Sequence, residues 1–437
     1  MNKSIILGLI LASAGFSAKL FSQAQIQSLY FMDRVIQTNT MNPAMFPSGS
    51  FHIGLPSFAL DAGNSGFALR DLIKVRDTDD SLYLDIPGVL SQLETENVMH
   101  ARMRADLLTF HMRLKKLHIT VSGAQHIDGS LAFPSDLLNF AWNGNRAYVG
   151  DTLQLSPSGK LNMYMEAAVG AAWDFGKFTV GAKYRQLLGQ AYFETTRANA
   201  TLYTDAEIFA LDLHTDILLR TAGLPDLKIK TDSTDTSSAP FDFMNTLAGI
   251  SNSGSAIDLG IVIRPLKHLQ IAASAINLGS IHWTNNASEY SINGDFNFSG
   301  FGGLSEANMD SIKDSLIALF KPVKASTEFT TPLNKQIFLS GTYDFDSTLM
   351  LSMLLRFSPD EDLSPNFSFA VTKRLKKLLR IGFSYSIIDD RRNNIGVMFD
   401  LKLWKFQFFG VTDDVGTFLR PRDSRYLNWR GGINLFF

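Results

Sequence analysis

Hydrophobic and polar residues alternate with a period of two along most of the chain, the pattern of β-strands with two different faces. Between Met163 and Phe175, one face is mostly apolar and the other carries Tyr, Glu, Gly and Asp. The same alternation runs from Trp429 to Phe437. It predicts about sixteen strands, many of roughly 9–11 residues, the length that a tilted strand needs to cross a bilayer. They begin near residues 50, 103, 117, 163, 177, 190, 201, 255, 268, 335, 348, 366, 379, 393, 404 and 429.

The connections between these strands alternate in length. Antiparallel neighbours place alternate connections at opposite ends, so the tight turns share one end and the long loops share the other. Outer-membrane barrels have short periplasmic turns and long external loops in this way. A short connection at Gly189 is the exception to the alternation. Tight turns are predicted at 113–116, 174–177, 196–199, 264–267, 345–347, 374–377 and 402–403, and long loops at about 61–102, 126–162, 213–254, 279–334 and 412–428.

The sequence therefore predicts an all-β protein, with residues 50–437 forming a transmembrane antiparallel β-barrel of about 14–16 strands and long extracellular loops. The polar face of each strand would then line the lumen. Because both signs of charge occur there, internal ion-pair ladders are favoured over the single-sign constriction of an ion-selective pore. The charged residues predicted to face the lumen are Glu166, Asp174, Lys183, Arg185, Asp258, Arg264, Arg356, Arg380, Asp400 and Arg430.

The first residues carry the features of an export signal. Lys3 precedes an apolar stretch at 5–12, and Ser22–Gln23–Ala24 fits a small-x-small cleavage site. A short membrane anchor is the alternative, but the apolar stretch is too short to span a bilayer comfortably. We therefore expect a signal peptide at 1–24, export to the outer membrane, and an N-terminal hatch or plug at 25–49.

Composition narrows the range of functions. Forty basic against 42 acidic residues give no general attraction to nucleic acid. The chain has no cysteine, which excludes disulfides, thiolate catalysis and Cys-based metal sites. No catalytic or nucleotide-binding motif occurs, and the eight His residues are scattered. The sequence thus predicts a protein that is not an enzyme and carries no metal or cofactor.

Two surface features predict contacts with the membrane and its machinery. The chain ends in an aromatic residue, Phe437, preceded by apolar residues at alternating positions. This ending resembles the signal that barrel-assembly machinery reads. Arg420, Arg422 and Arg425 fall in the last predicted external loop, where they would meet lipopolysaccharide or form a solvated basic loop. Lipid and lipopolysaccharide of the outer membrane are accordingly the expected surroundings.

A short motif before the first strand resembles a known superfamily. Asn42, Pro43 and Ala44 match an Asn-Pro-Ala element in the hatch of fatty-acid-transporter-like outer-membrane barrels. The stretch 275–279, Ala-Ile-Asn-Leu-Gly, looks like a strand end common in that superfamily. The opening 28–32 is similar to an uncharacterised branch from bacteria with type IX secretion. The superfamily typically has fourteen strands, so the resemblance favours that count.

The resemblance implies a hatch-plugged transporter or channel for hydrophobic small molecules, with a lipid-like ligand in the lumen. The alternative is a non-enzymatic accessory or interaction barrel, whose long loops contact a protein of type IX secretion or surface display. An outer-membrane enzyme such as a lipase is disfavoured, since no arrangement of Ser, His and acid stands out.

Overall fold

A closed ring of fourteen antiparallel strands forms the body of the molecule. The computed structural model describes residues 26–225, 249, 251–298, 321–359, 365–376, 378–388 and 391–437. The expected signal peptide lies outside these residues. The barrel strands are β1 Phe51–Asn64, β2 Glu96–Leu114, β3 Leu117–Pro134, β4 Ser158–Asp174, β5 Phe178–Thr204, β6 Asn252–Leu266, β7 Leu269–Trp283, β8 Gln336–Asp344, β9 Leu349–Phe357, β10 Asn366–Leu375, β11 Leu379–Ile388, β12 Arg391–Leu403, β13 Phe406–Thr412 and β14 Tyr426–Phe436.

Each strand pairs with the next in sequence, and β1 closes the ring by pairing with both β2 and β14. Closure satisfies the backbone hydrogen bonds of every barrel strand within the wall, as a lipid environment requires. The six tight turns that follow β2, β4, β6, β8, β10 and β12 lie at one end, which we call the turn end, together with the start of β1 and the end of β14. We call the opposite end the loop end. The predicted fold class is confirmed.

The predicted strand count was too high because one long strand was read as three. The candidates beginning near residues 177, 190 and 201 are parts of β5, which has 27 residues. The turns predicted at Gly189 and at 196–199 are therefore wrong. Gly189 is paired within the wall, and a β-carbon added there would lie 2.9 Å from the Trp283 ring, so this glycine makes room for an aromatic side chain.

The second false turn has a different cause. The register between β5 and its neighbour shifts between Thr195 and Arg197, which marks a β-bulge rather than a chain reversal. Without these two turns, short connections follow every even-numbered strand and longer ones follow the odd-numbered strands, except that only two residues join Ile388 of β11 to Arg391 of β12 at the opposite end. The exception at Gly189 was thus a sign of the misread strand.

The outward surface of the wall is apolar. On β11, Phe383 and Tyr385 point outward and are 59% and 41% exposed, whereas Ser384 and Ser386 between and beside them are buried toward the lumen. Such a band dissolves in lipid, as expected for a transmembrane barrel. Among the described residues, no helix is both long and apolar enough to cross a membrane.

A small sheet extends the wall beyond the loop end. The outer half of β5 pairs with Leu211–Ala222, which pairs with Ser288–Phe298 and, through it, Val323–Ser326. Beneath this sheet, Tyr192, Trp283 and Phe329 form an aromatic core in which the ring centroids of Tyr192 and Trp283 are 5.2 Å apart. The remaining short strands are Ile73–Val75, Leu82–Leu84, Thr152–Gln154 and Phe329–Pro332, and the helices outside the lumen are Leu69–Leu72, Ile86–Leu90, Ser135–Asn143, Arg146–Tyr148 and Gly416–Leu419.

Candidate functional site

Residues 26–49, here called the N-terminal segment, lie inside the barrel lumen. Two short 3-10 helices, Gln27–Phe31 and Ile36–Thr40, give the segment its shape, and most of its side chains are buried. The segment runs from the loop end, where Gln27 contacts Asp413, to the turn end, where β1 begins. It therefore occupies the route through the barrel along much of its length.

One side of the segment packs on an apolar part of the lumen. Leu29, Phe31, Met32 and Met41 belong to a single buried cluster with side chains of the wall. The ring of Tyr30 stacks on that of Phe338, with centroids 5.6 Å apart. We call this part of the lumen the covered wall: Val262, Ala272, Ile276, Phe338, Leu354, Ala370, Met398, Phe409 and Val411, from strands β6 to β13.

The Asn-Pro-Ala motif lies in close contact with the wall. Asn42 is fully buried, and its Oδ1 accepts the N–H of Ala44 at 2.9 Å. Its Nδ2 donates to the Tyr30 hydroxyl at 3.0 Å and to the backbone carbonyl of Ala273 at 3.3 Å. The motif thus folds its own turn and fixes that turn to β7. Its role as a hatch motif remains a prediction.

Two wall glycines make room for the motif, and sequence reasoning missed both. Gly181 of β5 and Gly260 of β6 are direct cross-strand partners. A β-carbon added at Gly260 would overlap Oδ1 of Asn42, and one added at Gly181 would overlap the carbonyl of Pro43. Glycine is therefore required at both positions by close approach. The available signal was a glycine at a lumen-facing position of each neighbouring strand.

Polar contacts hold the loop end of the segment. The carboxylate of Asp413, just after β13, accepts the N–H groups of Gln27 at 2.7 Å and Ser28 at 2.9 Å. Asp413 is 1% exposed, and burial raises the pKa of its carboxyl above the ordinary value. The Oγ atoms of Ser28 and Ser384 are 2.6 Å apart.

Further along the segment, side chains of the wall bind its backbone carbonyls. Lys183 Nζ donates to Asn39 at 2.8 Å, and Ser274 Oγ donates to Met41 at 2.7 Å. Gln37 and Asn434 exchange two side-chain hydrogen bonds of 2.9 and 3.0 Å. These bonds satisfy backbone and amide groups that would otherwise be buried without partners.

The lumenal side of β1 to β6 and β14 has a different chemistry and carries paired charges. At its centre, Glu166 accepts from Arg104 Nη2 and Arg185 Nε, each at 2.8 Å. Asp106 accepts from Arg104 at 2.8 Å and from Arg430 at 2.6 Å. We call this region the charged wall: Asp61, His100, Arg102, Arg104, Asp106, His126, Asp128, Glu166, Lys183, Arg185, Asp258 and Arg430.

A cavity of about 90 Å³ lies between the charged wall and the N-terminal segment. Ile26 and Thr40 line it from the segment, and Arg102, Lys183 and Asp258 are among its lining residues from the wall. Since several charged side chains of this lining are buried, Lys183 and Asp258 among them, the cavity suits polar or charged groups better than a hydrocarbon.

The predicted lumenal ladder is confirmed for most of its members. Glu166, Lys183, Arg185, Asp258 and Arg430 are buried in the charged wall. Three more are buried elsewhere in the lumen, and two lie near the turn end. The three buried residues are Arg356, Arg380 and Asp400, and Arg380 contacts both Asp400 and Asp33 of the N-terminal segment. The two residues near the turn end are Asp174 and Arg264.

Sequence reasoning missed the part of the ladder that lies in predicted loops. Asp61, His100 and Arg102 fall in the predicted loop 61–102, and Asp128 falls in the predicted loop 126–162. The strands in fact continue well past the length needed to cross a bilayer. The signal available was the alternation of apolar and charged residues from 98 to 106.

Three histidines that looked scattered in the sequence form a row near the turn end. Nδ1 of His52 and Nδ1 of His111 are 3.1 Å apart, and Nε2 of His111 and Nδ1 of His118 are 3.0 Å apart. Phe46 of the N-terminal segment stacks on His118 with ring centroids 4.6 Å apart. Within the described ranges, no group of three or more His, Asp or Glu side chains has the geometry to hold a metal ion.

The remaining predicted residues lie at the two ends of the barrel. Phe437 is 53% exposed at the turn end, and its N–H donates to Phe51 at 2.9 Å, so the last residue closes the ring. At the loop end, Arg425 Nη1 donates to the carbonyl of Ser65 at 2.9 Å, while Arg420 and Arg422 are exposed. The assembly signal at Phe437 and the lipopolysaccharide contact stay predictions.

Comparisons with known proteins give one family and several similar folds. Residues 43–413 match a family described as a family of unknown function, DUF5723. No curated protein matches the chain. Among solved structures, the toluene transporter TbuX of Ralstonia pickettii is 11% identical over 92% of this chain and 95% of its own, with a TM-score of 0.44. The toluene transporter TodX of P. putida is 9% identical over 92% of each chain, with a TM-score of 0.41.

A third match, the translocator domain of the autotransporter NalP from Neisseria meningitidis, is 7% identical over 96% of this chain and all of that domain, with a TM-score of 0.32. The ring has the fourteen strands that the predicted resemblance to the fatty-acid-transporter-like superfamily implies. The link to bacteria with type IX secretion stays a prediction.

Proposed function

Since the chain belongs to DUF5723, a family of unknown function, we propose its role from the geometry of the lumen. The protein is an outer-membrane channel or transporter for hydrophobic small molecules, and the N-terminal segment is the plug that closes it. The turn end faces the periplasm and the loop end faces the exterior, as in other outer-membrane barrels.

One observation carries this proposal: the apolar side chains of the covered wall lie beneath the N-terminal segment. An apolar strip inside an aqueous lumen is costly unless something covers it. Displacing the segment would expose Phe338, Leu354 and Phe409 opposite the charged wall. The passage would then have one apolar side and one charged side, which suits a hydrophobic molecule that carries a polar end.

The gate can be tested with a reversible lock, because the chain has no native cysteine. The Oγ atoms of Ser28 and Ser384 are 2.6 Å apart, so sulfurs at these positions lie within reach of a disulfide. We expect S28C/S384C to conduct less than the parent in planar bilayers when oxidised, and to recover when reduced. A parent-like conductance in the oxidised protein contradicts a moving plug.

The matched control places a disulfide between two wall strands. Oγ atoms of Thr342 on β8 and Ser352 on β9 are 3.1 Å apart, so T342C/S352C has similar geometry but leaves the segment free. Its conductance should not respond to oxidation. A variant that lacks residues 26–48 should conduct more than either double-cysteine variant, provided that it still migrates as a folded barrel.

The cargo is tested by native mass spectrometry of protein extracted from outer membranes in mild detergent. A bound hydrophobic small molecule that remains in oxidised S28C/S384C supports transport and gives the substrate class. A preparation that never carries such a molecule, while the lock controls conductance, keeps the gate but rejects the hydrophobic cargo.

A second candidate function is an accessory barrel for protein secretion or surface display. The observation that favours it is the small sheet beyond the loop end, whose hairpin tip presents Ile208 and Phe209 at 68% and 64% exposure. The same mass-spectrometry experiment distinguishes this role. It would show a stoichiometric protein companion, which I208S/F209S should release.

A further inference from the structure

The turn end of the barrel carries a ring of exposed cations. They lie on or beside five of the six tight turns at this end, so they surround the barrel mouth at one level. Nothing in the passage of a small molecule through the lumen requires them. We call them the turn ring: Arg113, Lys115, Lys116, Lys177, Arg264, Lys267, Lys373, Lys376 and Lys405.

Hydrogen bonds between neighbouring turns fix the backbone of this ring. The carbonyl of Lys116 accepts the N–H of Asp174 at 2.8 Å, and that of Lys177 accepts the N–H of Arg264 at 2.7 Å. On the other side of the barrel, Lys405 accepts the N–H of Phe436 at 3.0 Å. The cations are therefore held in a defined circle, although their side chains extend into solvent.

The carboxylates at the turn end bind groups of the protein other than the turn-ring side chains. Asp344 binds Arg374 at 2.9 Å, Asp346 accepts the N–H of Leu349 at 2.8 Å, and Asp174 accepts that of Gly176 at 2.8 Å. Within the part of the chain that the structure describes, no carboxylate lies within ion-pair distance of a turn-ring side chain. The ring thus presents a positive charge that the protein itself does not neutralise.

Exposed aromatic residues lie among the cations. Trp173, Phe345 and Trp404 are 45%, 67% and 80% exposed at the same end. Lys405 Nζ lies 5.2 Å from the centre of the Trp404 ring and 4.8 Å from that of Phe437. Aromatic and basic side chains mix in this way where a protein crosses the head-group layer of a membrane.

We propose that the turn ring binds the phosphate groups of anionic phospholipids in the membrane leaflet next to the turn end. The ring begins where the outward apolar band ends, so lipid head groups are the anions that meet it. The first loop of the opposite end differs from the turn ring, because it mixes Arg70, Lys74 and Arg76 with Asp77 and Asp79. This inference holds whatever the cargo of the lumen.

The test compares two neutralised variants in vesicles of phosphatidylcholine with and without phosphatidylglycerol. Both ends of the barrel meet the same lipids there. Each variant must first migrate as a folded barrel in unheated SDS gels. The turn variant changes Lys115, Lys116, Lys177, Lys267, Lys376 and Lys405 to Gln, and the matched loop-end variant changes Arg70, Lys74, Arg76, Arg146, Arg197 and Arg220 to Gln.

The readout is the number of lipids of each kind that remain bound in native mass spectrometry. We expect the parent to retain phosphatidylglycerol at least about tenfold more strongly than phosphatidylcholine, and less so at high salt. The turn variant should lose this preference and the loop-end variant should keep it.

Three results would overturn the proposal. The parent could show no preference, which would leave an acidic protein as the partner of the ring. The turn variant could keep the preference, or both variants could lose it equally, which would show general attraction rather than a site at one end.

Discussion

The covered wall and the charged wall belong to the same ring of strands, yet their lumenal side chains differ completely. The covered wall places Phe338 and Leu354 against the N-terminal segment, where water is displaced. The charged wall faces the cavity with Glu166, Arg104 and Arg185, joined by ion pairs. The outward side of every strand meets lipid and is apolar. The chemistry of the lumenal side instead depends on what lies opposite it, either the N-terminal segment or the cavity.

The two walls are also stabilised differently. Burying apolar side chains is favourable by itself, at about 25 cal/mol per Å² removed from water. Buried ion pairs gain little net free energy, but each partner becomes costly once the other is removed. Substitutions that remove side-chain volume should therefore destabilise the covered wall, and substitutions that remove one partner of an ion pair should destabilise the charged wall.

The largest effect is expected from breaking the charged wall at its centre. Glu166→Gln leaves Arg104 and Arg185 without their shared carboxylate, although Arg185 is buried and the Arg104 side chain is only 15% exposed. We expect a loss of about 3–5 kcal/mol in the free energy of unfolding. Denaturant titration in lipid, followed by gel mobility, measures it.

The matched control is Glu194→Gln on the neighbouring part of β5. Glu194 pairs with Lys160 at 3.4 Å, and both side chains are partly exposed. An exposed pair contributes about 0–1 kcal/mol, so this variant should be close to the parent. Equal losses in the two variants would contradict a special role for the buried cluster.

The next effect tests the covered wall by removing volume. Leu354→Ala creates a cavity beneath the N-terminal segment, and we expect it to weaken docking of the segment by about 2–5 kcal/mol. Leu355→Ala changes the next residue, which points outward, and should leave docking unchanged. Maleimide labelling of Cys introduced by S28C, in both backgrounds, reports how often the segment leaves the wall.

The fold could be predicted because lipid imposes one rule on every strand. Outward positions must be apolar, so the period of two survives along the chain even where the lumenal side varies. The covered wall weakens that alternation: in residues 349–357, Leu-Met-Leu-Ser-Met-Leu-Leu-Arg-Phe, the lumenal face carries the apolar Met350 and Leu354 beside Ser352 and Arg356. Such a strand signals a buried lumenal partner, but the partner itself cannot be identified from the strand alone.

The candidate site was less predictable than the fold. Glu166, Arg185 and Arg430 could be placed in the lumen from alternation, but their pairing depends on register and on bulges. The contact of Asn42 with Gly260 joins positions 218 residues apart, which one sequence without its homologues does not connect. The site therefore depends on the register between distant strands, which the local sequence pattern does not reveal.

A smaller effect tests how closely the segment and wall approach each other. Gly260→Ala adds a methyl group that overlaps Oδ1 of Asn42, so we expect docking to weaken by about 1–3 kcal/mol. Gly341→Ala is the control, since its added methyl group would meet Met353 at an ordinary 3.6 Å. Labelling of S28C should rise in the first variant and stay unchanged in the second.

The smallest effect concerns pH and the loop end of the segment. Burial raises the pKa of Asp413 above its ordinary 3.8 when its carboxylate holds Gln27 and Ser28. The docked state therefore binds the proton more tightly than the undocked state, and docking strengthens as pH falls from the raised pKa toward 3.8. The open fraction in planar bilayers should decline over that window. Asp413→Asn should remove this part of the pH dependence, whereas Asp414→Asn, next to it in the loop, should retain it. A decline that persists unchanged in Asp413→Asn would place the responsible proton on another group.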